Sequence, residues 1–224
     1  MRLIILVLLL QNFLFSQDSL FWFDMSKVRD SIPITPIVID KIFGTSQLKM
    51  IDSLINDMRL FARDNFHVQT VSSYLSKLNL RTEDLKNFNH QIQDSYTRNL
   101  IHREQDFEIM LVCWPPHSSA PIHGHEGEKC WARVQTGQLN ICNYEEVSRK
   151  PLSLKKIQEL KCSPGFLDGP ADIHSVENIS DEFATSLHVY AKPYDECEIF
   201  DLEEGLVKRT KMNYHTIDGV LCDH

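Results

Sequence analysis

From Thr45 to about Leu80 the apolar residues return at helical spacing: Leu48, Ile51, Leu54, Ile55, Met58 and Phe61, then Val68, Val71, Tyr74, Leu75 and Leu78. Thr45 or Ser46 can cap the first of these helices, and Thr82 followed by Glu83 and Asp84 suits the start of a third. After about Asp94 the period shortens to two, in stretches separated by Pro, Gly and Ser clusters, which predicts antiparallel strands and turns. Phe107, Ile109, Leu111 and Cys113 alternate along one such strand, which Pro115-Pro116 closes. Further strands are expected at Ile122 to His125, Cys130 to Gln135, Leu139 to Tyr144, Leu154 to Leu160, His174 to Asn178, Thr185 to Lys192 and Val207 to His215. Many short strands at this spacing predict a mainly β fold, a sandwich or small barrel, with a helical layer over about 45–92 and the strands over about 94–216.

At 224 residues the chain is long enough for one well-cored domain and short for two. The first 24 residues complicate that picture. Met1 and Arg2 precede the apolar run Leu3 to Leu10, which resembles a secretory leader, yet only Ser16 is small near a cleavage site. The run is also shorter than the roughly 20 residues needed to span a bilayer. Either the leader is real, or translation starts at Met25; residues 25–224 then form the single domain. Twenty-three basic against 31 acidic side chains give a net charge of -8, with the basic residues scattered, so neither nucleic acid nor an anionic membrane is an expected partner. Six cysteines without a CxxC pair read as free thiols in a reducing compartment, and a cytoplasmic location is expected, or the secretory pathway if the leader acts.

His123-Gly124-His125 carries the most chemical information. On a strand, residues i and i+2 project to one face and can present two imidazoles to one metal ion. His174, about fifty residues later, can join them from a neighbouring strand. An HxH pair alone also suits surface or hydrogen-bonded core histidines. The further spacing, with Cys130 and Gly137 after the pair and Asn178 after His174, is similar to the two cupin motifs. Where most cupins supply a glutamate ligand, this chain has Lys129 and Cys130. Three neutral imidazoles leave the dipositive charge of a metal uncompensated, which favours an anionic ligand such as a thiolate, and they leave three positions of an octahedron open. His67, His90, His102, His117, His215 and His224 have no expected metal role.

Five ordered segments carry a more specific resemblance: Tyr96-Thr97-Arg98-Asn99-Leu100, Cys113-Trp114, His123-x-His125-x4-Cys130, His174-x-Val176-Glu177-Asn178 and Ser186-Leu187-His188-x-Tyr190. In order and spacing they resemble the cysteine dioxygenase family of cupins, over about half of the chain from Tyr96 to Met212. The resemblance implies a cupin-type antiparallel barrel or jelly roll. It implies a non-haem iron enzyme, with one Fe(II) per chain on His123, His125 and His174, that oxidises L-cysteine with O2 to cysteine sulfinic acid on the route to taurine and sulfate. It also implies that Arg98, with Tyr96, holds the substrate carboxylate, for which a guanidinium fork is suited. Ser186, His188 and Tyr190 at i, i+2 and i+4 place hydroxyl, imidazole and phenol on one strand face. In the family the matching tyrosine is joined to the matching cysteine by a thioether, so Cys130 and Tyr190 are a candidate cross-link and, with His188, the expected catalytic groups. Trp114 is read as a wall of the barrel, and Cys197 and Met212 match positions near the pocket. A monomer is expected.

Two departures from the family stand out. His117 occupies a glycine position before the metal pair, and Ala191-Lys192-Pro193 follows the tyrosine where animal members have Ser-Pro-Pro with a cis peptide. A non-proline cis bond costs about 2.5–4 kcal/mol, so a trans Ala191–Lys192 bond is expected. Three rival readings differ in chemistry: a dioxygenase for another small thiol, a zinc or manganese cupin isomerase or hydrolase, and a metal-free secreted binding protein. Arg98 argues against cysteamine, which has no carboxylate.

Overall fold

The computed structural model describes residues 36–170 and 172–223, so the leader-like segment lies outside the described residues. Chain contacts separate residues 1–44 from a compact body, residues 45–224. Helix α1 spans Pro36–Arg63 and α2 spans Val68–Lys77, followed by a 3-10 helix at Thr82–Phe88. The first helix is thus longer than its cap signals indicate: Thr45 and Ser46 lie within it rather than at its start. Proline is favoured at a first helical position because its φ is already set and it needs no N–H partner there. Among the described residues, no helix is long and apolar enough to cross a membrane.

The body is built on two sheets. One contains, in spatial order, β13 (Val220–Leu221), β12 (Thr216–Ile217), β1 (Thr97–Arg103), β2 (Glu108–Trp114), β9 (Ala184–Tyr190), β4 (Cys130–Thr136) and β7 (Leu167–Asp168). The other contains β11 (Leu206–Lys211), β10 (Glu196–Asp201), β3 (Ser119–Gly124), β8 (Ile173–Asn178), β5 (Leu139–Arg149) and β6 (Leu152–Cys162). All pairings are antiparallel except β1 with β12. The architecture is the mainly β, cupin-type double sheet with a small helical layer that the sequence predicts.

Alternation explains why β2 and β9 are buried along their whole length. Ile109, Leu111, Leu187 and Val189 face outward and share one core cluster with Leu54 and Met58 of α1 and Val71 and Leu75 of α2. Burying each such side chain is worth about 1.5–3 kcal/mol, which holds a ten-residue helix that would be marginal alone. The Trp131 indole on β4 adds an anchor by donating to the Ser72 hydroxyl at 2.9 Å. The opposite faces carry Met110, Val112, Trp114 and Tyr190 into the space between the sheets, where they meet Ile141 and Val176.

Turn chemistry sets where the strands end. Gly137 between β4 and β5 has φ +74°, and a Cβ there would lie 2.5 Å from that of Ala184, so both backbone shape and space exclude a side chain. His117, at the family's glycine position, also adopts a left-handed φ of +58°. The cis peptides among the described residues are Lys150–Pro151 and Gly169–Pro170, so the Ala191–Lys192 bond is trans. Strand β9 ends at Tyr190 and β11 at Lys211, earlier than their alternation suggests, while Tyr96 lies one residue before β1. Strands β7, β10, β12 and β13 have no distinct signal in the sequence, and β1 is expected only as the strand that carries Arg98.

Candidate metal centre and adjoining pocket

His123 and His174 are direct cross-strand partners on β3 and β8, so their side chains are neighbours. His125 follows the end of β3, tied to the next sheet turn by its N–H to the Asp172 carbonyl at 3.0 Å. Gly124 between them fits beneath Phe200, with a built Cβ only 3.0 Å from the ring. The three rings converge: their candidate ligand atoms all lie within 4.8 Å of one another, and His125 and His174 are fully buried.

The donor set fits a divalent ion. His123 Nδ1 lies 2.9 Å from the Pro121 carbonyl and His174 Nδ1 lies 3.3 Å from Asp168 Oδ2. Acceptors at both Nδ1 atoms place the ring protons there, leaving the two Nε2 lone pairs facing each other at 3.1 Å. Two imidazole nitrogens at right angles on a zinc-like ion would be about 2.9 Å apart, from a metal–nitrogen distance of about 2.0–2.1 Å. Burial, and then the neighbouring His174 and His125, drive the His123 pKa well below its usual range. The ring is therefore neutral, as a ligand must be. Among the described residues, no carboxylate belongs to the cluster.

A small cavity of about 30 Å³, open at its mouth, adjoins the cluster and is lined by His123, Tyr96, Arg98, His188, Tyr190 and neighbours that include Cys197 and Met212. The lining comes from both sheets. Trp114 Nε1 donates to Ser186 Oγ at 2.9 Å, Ser186 Oγ lies 2.8 Å from His188 Nε2, and His188 Nδ1 lies 3.3 Å from the Tyr190 hydroxyl. Indole can only donate. The assignment that satisfies the row has Ser186 donating to His188 Nε2 and His188 Nδ1–H donating to Tyr190, which leaves the phenol proton free to point away from His188. Burial first, then His174, His125 and Arg98, push the His188 pKa down to about 3, so this ring is neutral too.

Tyr190 stands directly opposite Cys130 in the β4–β9 register, and both are buried. Burial raises the pKa of each, with their mutual proximity adding to the rise at Tyr190. The Tyr190 ring lies 5.8 Å from His125 and is stacked between His188 and Tyr194, at 5.9 and 5.2 Å. Tyr96 stacks on Trp114 at 5.0 Å. Along the cavity lining, the Cys197 thiol contacts the Met212 sulfur at 3.3 Å.

Arg98 is buried, with Nη1 and Nη2 donating to the carbonyls of Asn213 and Tyr194 at 3.3 and 3.4 Å. It lies over the Tyr214 ring at 5.1 Å, and Nη2 is 3.7 Å from the fully buried Glu108 carboxylate. Tyr214 donates to Glu108 at 2.5 Å, and Arg103 is 3.5 Å from it. Burial raises the Glu108 pKa against the opposing effects of Tyr214, Arg98 and Arg103.

Asp168, Glu108, Tyr194 and Tyr214 are the site neighbours that the sequence reading does not single out. A lone acid inside the apolar run Phe107 to Trp114 was the available signal for Glu108, since unpaired charges are seldom buried. Asp168 had none, because β7 is two residues long. Of the six other histidines, His102 and His117 instead pair with Glu104 and Asp181.

Comparison with known proteins agrees with the resemblance read from the five segments. The family model described as cysteine dioxygenase type I matches residues 44–203. Cysteine dioxygenase type 1 of Danio rerio is 29% identical over 164 residues, covering 70% of this chain and 81% of that protein. The Rattus norvegicus protein of the same name is 28% identical over 168 residues, 72% and 83% of the two chains. The Homo sapiens protein is 28% identical over 169 residues, 72% and 84%.

Proposed function

Because the chain belongs to the cysteine dioxygenase type I family, we propose that it is an iron-dependent thiol dioxygenase that converts L-cysteine and O2 into cysteine sulfinic acid. The observation that carries this reading is the convergence of three imidazoles, one of which, His123, lines a small cavity together with the buried Arg98 guanidinium. The imidazoles accept a metal and leave room beside it, and the guanidinium selects a thiol that also bears a carboxylate.

His123, His125 and His174 would hold Fe(II), one per chain, which when bound supplies the redox chemistry that joins O2 to sulfur. Both oxygens end on sulfur, RSH + O2 giving RSO2H, so no external reductant or leaving group is required. Arg98 engages the carboxylate and fixes the register of the substrate, with Tyr96 beside it. The Trp114–Ser186–His188 row orients Tyr190 so that its proton is directed into the cavity, where it can hydrogen-bond the reacting groups. Apolar neighbours Val112, Val176 and Ile199 keep water from the reacting sulfur. Cys197 and Met212 border the approach.

The cross-strand placement of Cys130 and Tyr190 supports the thioether that the family resemblance implies. Six cysteines, none in a disulfide and five of them buried, support a cytoplasmic location. Arg98 separates this reading from a cysteamine dioxygenase. The test is anaerobic loading with Fe(II), then O2 uptake with L-cysteine and detection of the sulfinate. Stoichiometric uptake and sulfinate formation are expected, and iron-loaded protein that consumes no O2 with L-cysteine would refute the proposal. The intact mass of the same sample should fall by two hydrogens if the thioether has formed.

A further inference from the structure

The carboxylate missing from the metal-binding cluster reappears one ring away. Asp168 comes from β7 in the seven-stranded sheet and reaches His174 on β8 of the six-stranded sheet, with Oδ2 3.3 Å from Nδ1. Both side chains are almost wholly buried, at 7% and 2% exposure. The other carboxylate oxygen accepts from Asn143 Nδ2 at 3.4 Å. Asn143 is itself the cross-strand partner of His174 on β5, and the same Nδ2 also donates to Gln158 Oε1 at 3.1 Å. A buried acid is costly unless its oxygens are matched by donors, and here each oxygen has one.

We infer that Asp168 is a positioning residue for the metal: it fixes the proton of His174 on Nδ1, aims Nε2 at the ion, and places one negative charge behind the ligand set. An anion on the far nitrogen makes an imidazole a stronger donor, and loss of such a partner typically weakens metal binding by about 10–100-fold. The charge also bears on the balance of the site. Three neutral imidazoles offset none of the dipositive charge, whereas Asp168 offsets part of it without occupying a position at the metal. The open positions therefore remain available to substrate and O2. This inference rests on the three-histidine metal reading.

The test measures Co(II) affinity of the full chain by competition with a chelator, in the wild type, Asp168→Ala and Asp168→Asn. Asparagine keeps one oxygen that can accept the Nδ1 proton, and loses the charge together with the acceptor for Asn143. The alanine variant should bind about 10–100-fold more weakly, and the asparagine variant should fall between it and the wild type. A shifted ligand-field absorption of bound Co(II) in the alanine variant, restored towards wild type by asparagine, separates orientation of His174 from general loss of structure. Should the alanine variant fail to fold, Asp168→Asn and Asn143→Ala still decide the matter, each with a loss of a few-fold. Wild-type affinity and spectrum in every folded variant would overturn the role of Asp168. A wild type that bound no Co(II) would instead overturn the metal reading beneath it.

Discussion

Replacing Arg98 by alanine should separate substrates by whether they carry a carboxylate. In the structure both terminal nitrogens of Arg98 already make long bonds to backbone carbonyls, at 3.3 and 3.4 Å, and Glu108 stands 3.7 Å away. A bound carboxylate therefore competes for a partly engaged fork, and one charge-assisted bond, worth about 1.5–3 kcal/mol, is a fairer figure than two. At about 1.4 kcal/mol per factor of ten, that is roughly a 10- to 150-fold rise in KM for L-cysteine and in its anaerobic dissociation constant. Cysteamine has thiol and amine but no carboxylate, so its dissociation constant should change by less than about 3-fold, because it loses no such bond. Removing Arg98 also strips a partner from buried Glu108, which can cost about 3 kcal/mol of stability. The double variant Arg98→Ala/Glu108→Gln controls for this, since glutamine still accepts from Tyr214 and carries no charge. Equal weakening of both ligands in the double variant, or of neither, would refute carboxylate recognition by Arg98.

Two other predictions concern stability. His188 is held neutral in the fold with its pKa depressed to about 3 from 6.5, so unfolding takes up a proton between those values. Its contribution to stability is complete above pH 6.5 and declines as pH falls towards 3; His188→Gln should flatten the pH dependence of the denaturation midpoint of metal-free protein across that window, and an unchanged slope would contradict it. Gly137→Ala should destabilise by more than about 2 kcal/mol, combining a left-handed φ that costs alanine about 1–2 kcal/mol with a contact at Ala184 that must open. Chemical denaturation measures this, and a difference under about 0.5 kcal/mol would mean that the turn relaxes freely.

The parts of the fold that could be read in advance are those where one residue's neighbours are local. The helical stripe of Leu54, Met58, Val71 and Leu75 and the alternation through β2 and β9 both announce themselves by period. The short strands β7, β12 and β13 do not, because two residues cannot display a period; their existence depends on β4 and β1 offering edges to pair with. Strand β10 escaped for another reason: Glu196, Glu198 and Asp201 give it the look of a charged loop, although Cys197 and Phe200, on its two faces, are both buried. At the site, His123 and His125 are close in sequence, and His174 followed from the motif spacing. Asp168 and Glu108 became visible only when partners 6 and 10 residues away in sequence, His174 and Arg98, were seen across a sheet boundary or an adjacent strand.

The two sheets hold different reagents. His123 and His174 sit on one, with His125 at its rim, while Arg98, Ser186, His188 and Tyr190 belong to the other. Reactivity then depends on the gap between two leaves that are joined mainly by apolar side chains such as Val112, Val134 and Ile141. A substitution there, far from any polar group, can tilt one leaf and misalign thiol and ion while each half still grips its own cargo. On the proposed function, such a variant would keep its metal and bind its substrate yet turn over slowly, so turnover number can drift independently of either affinity.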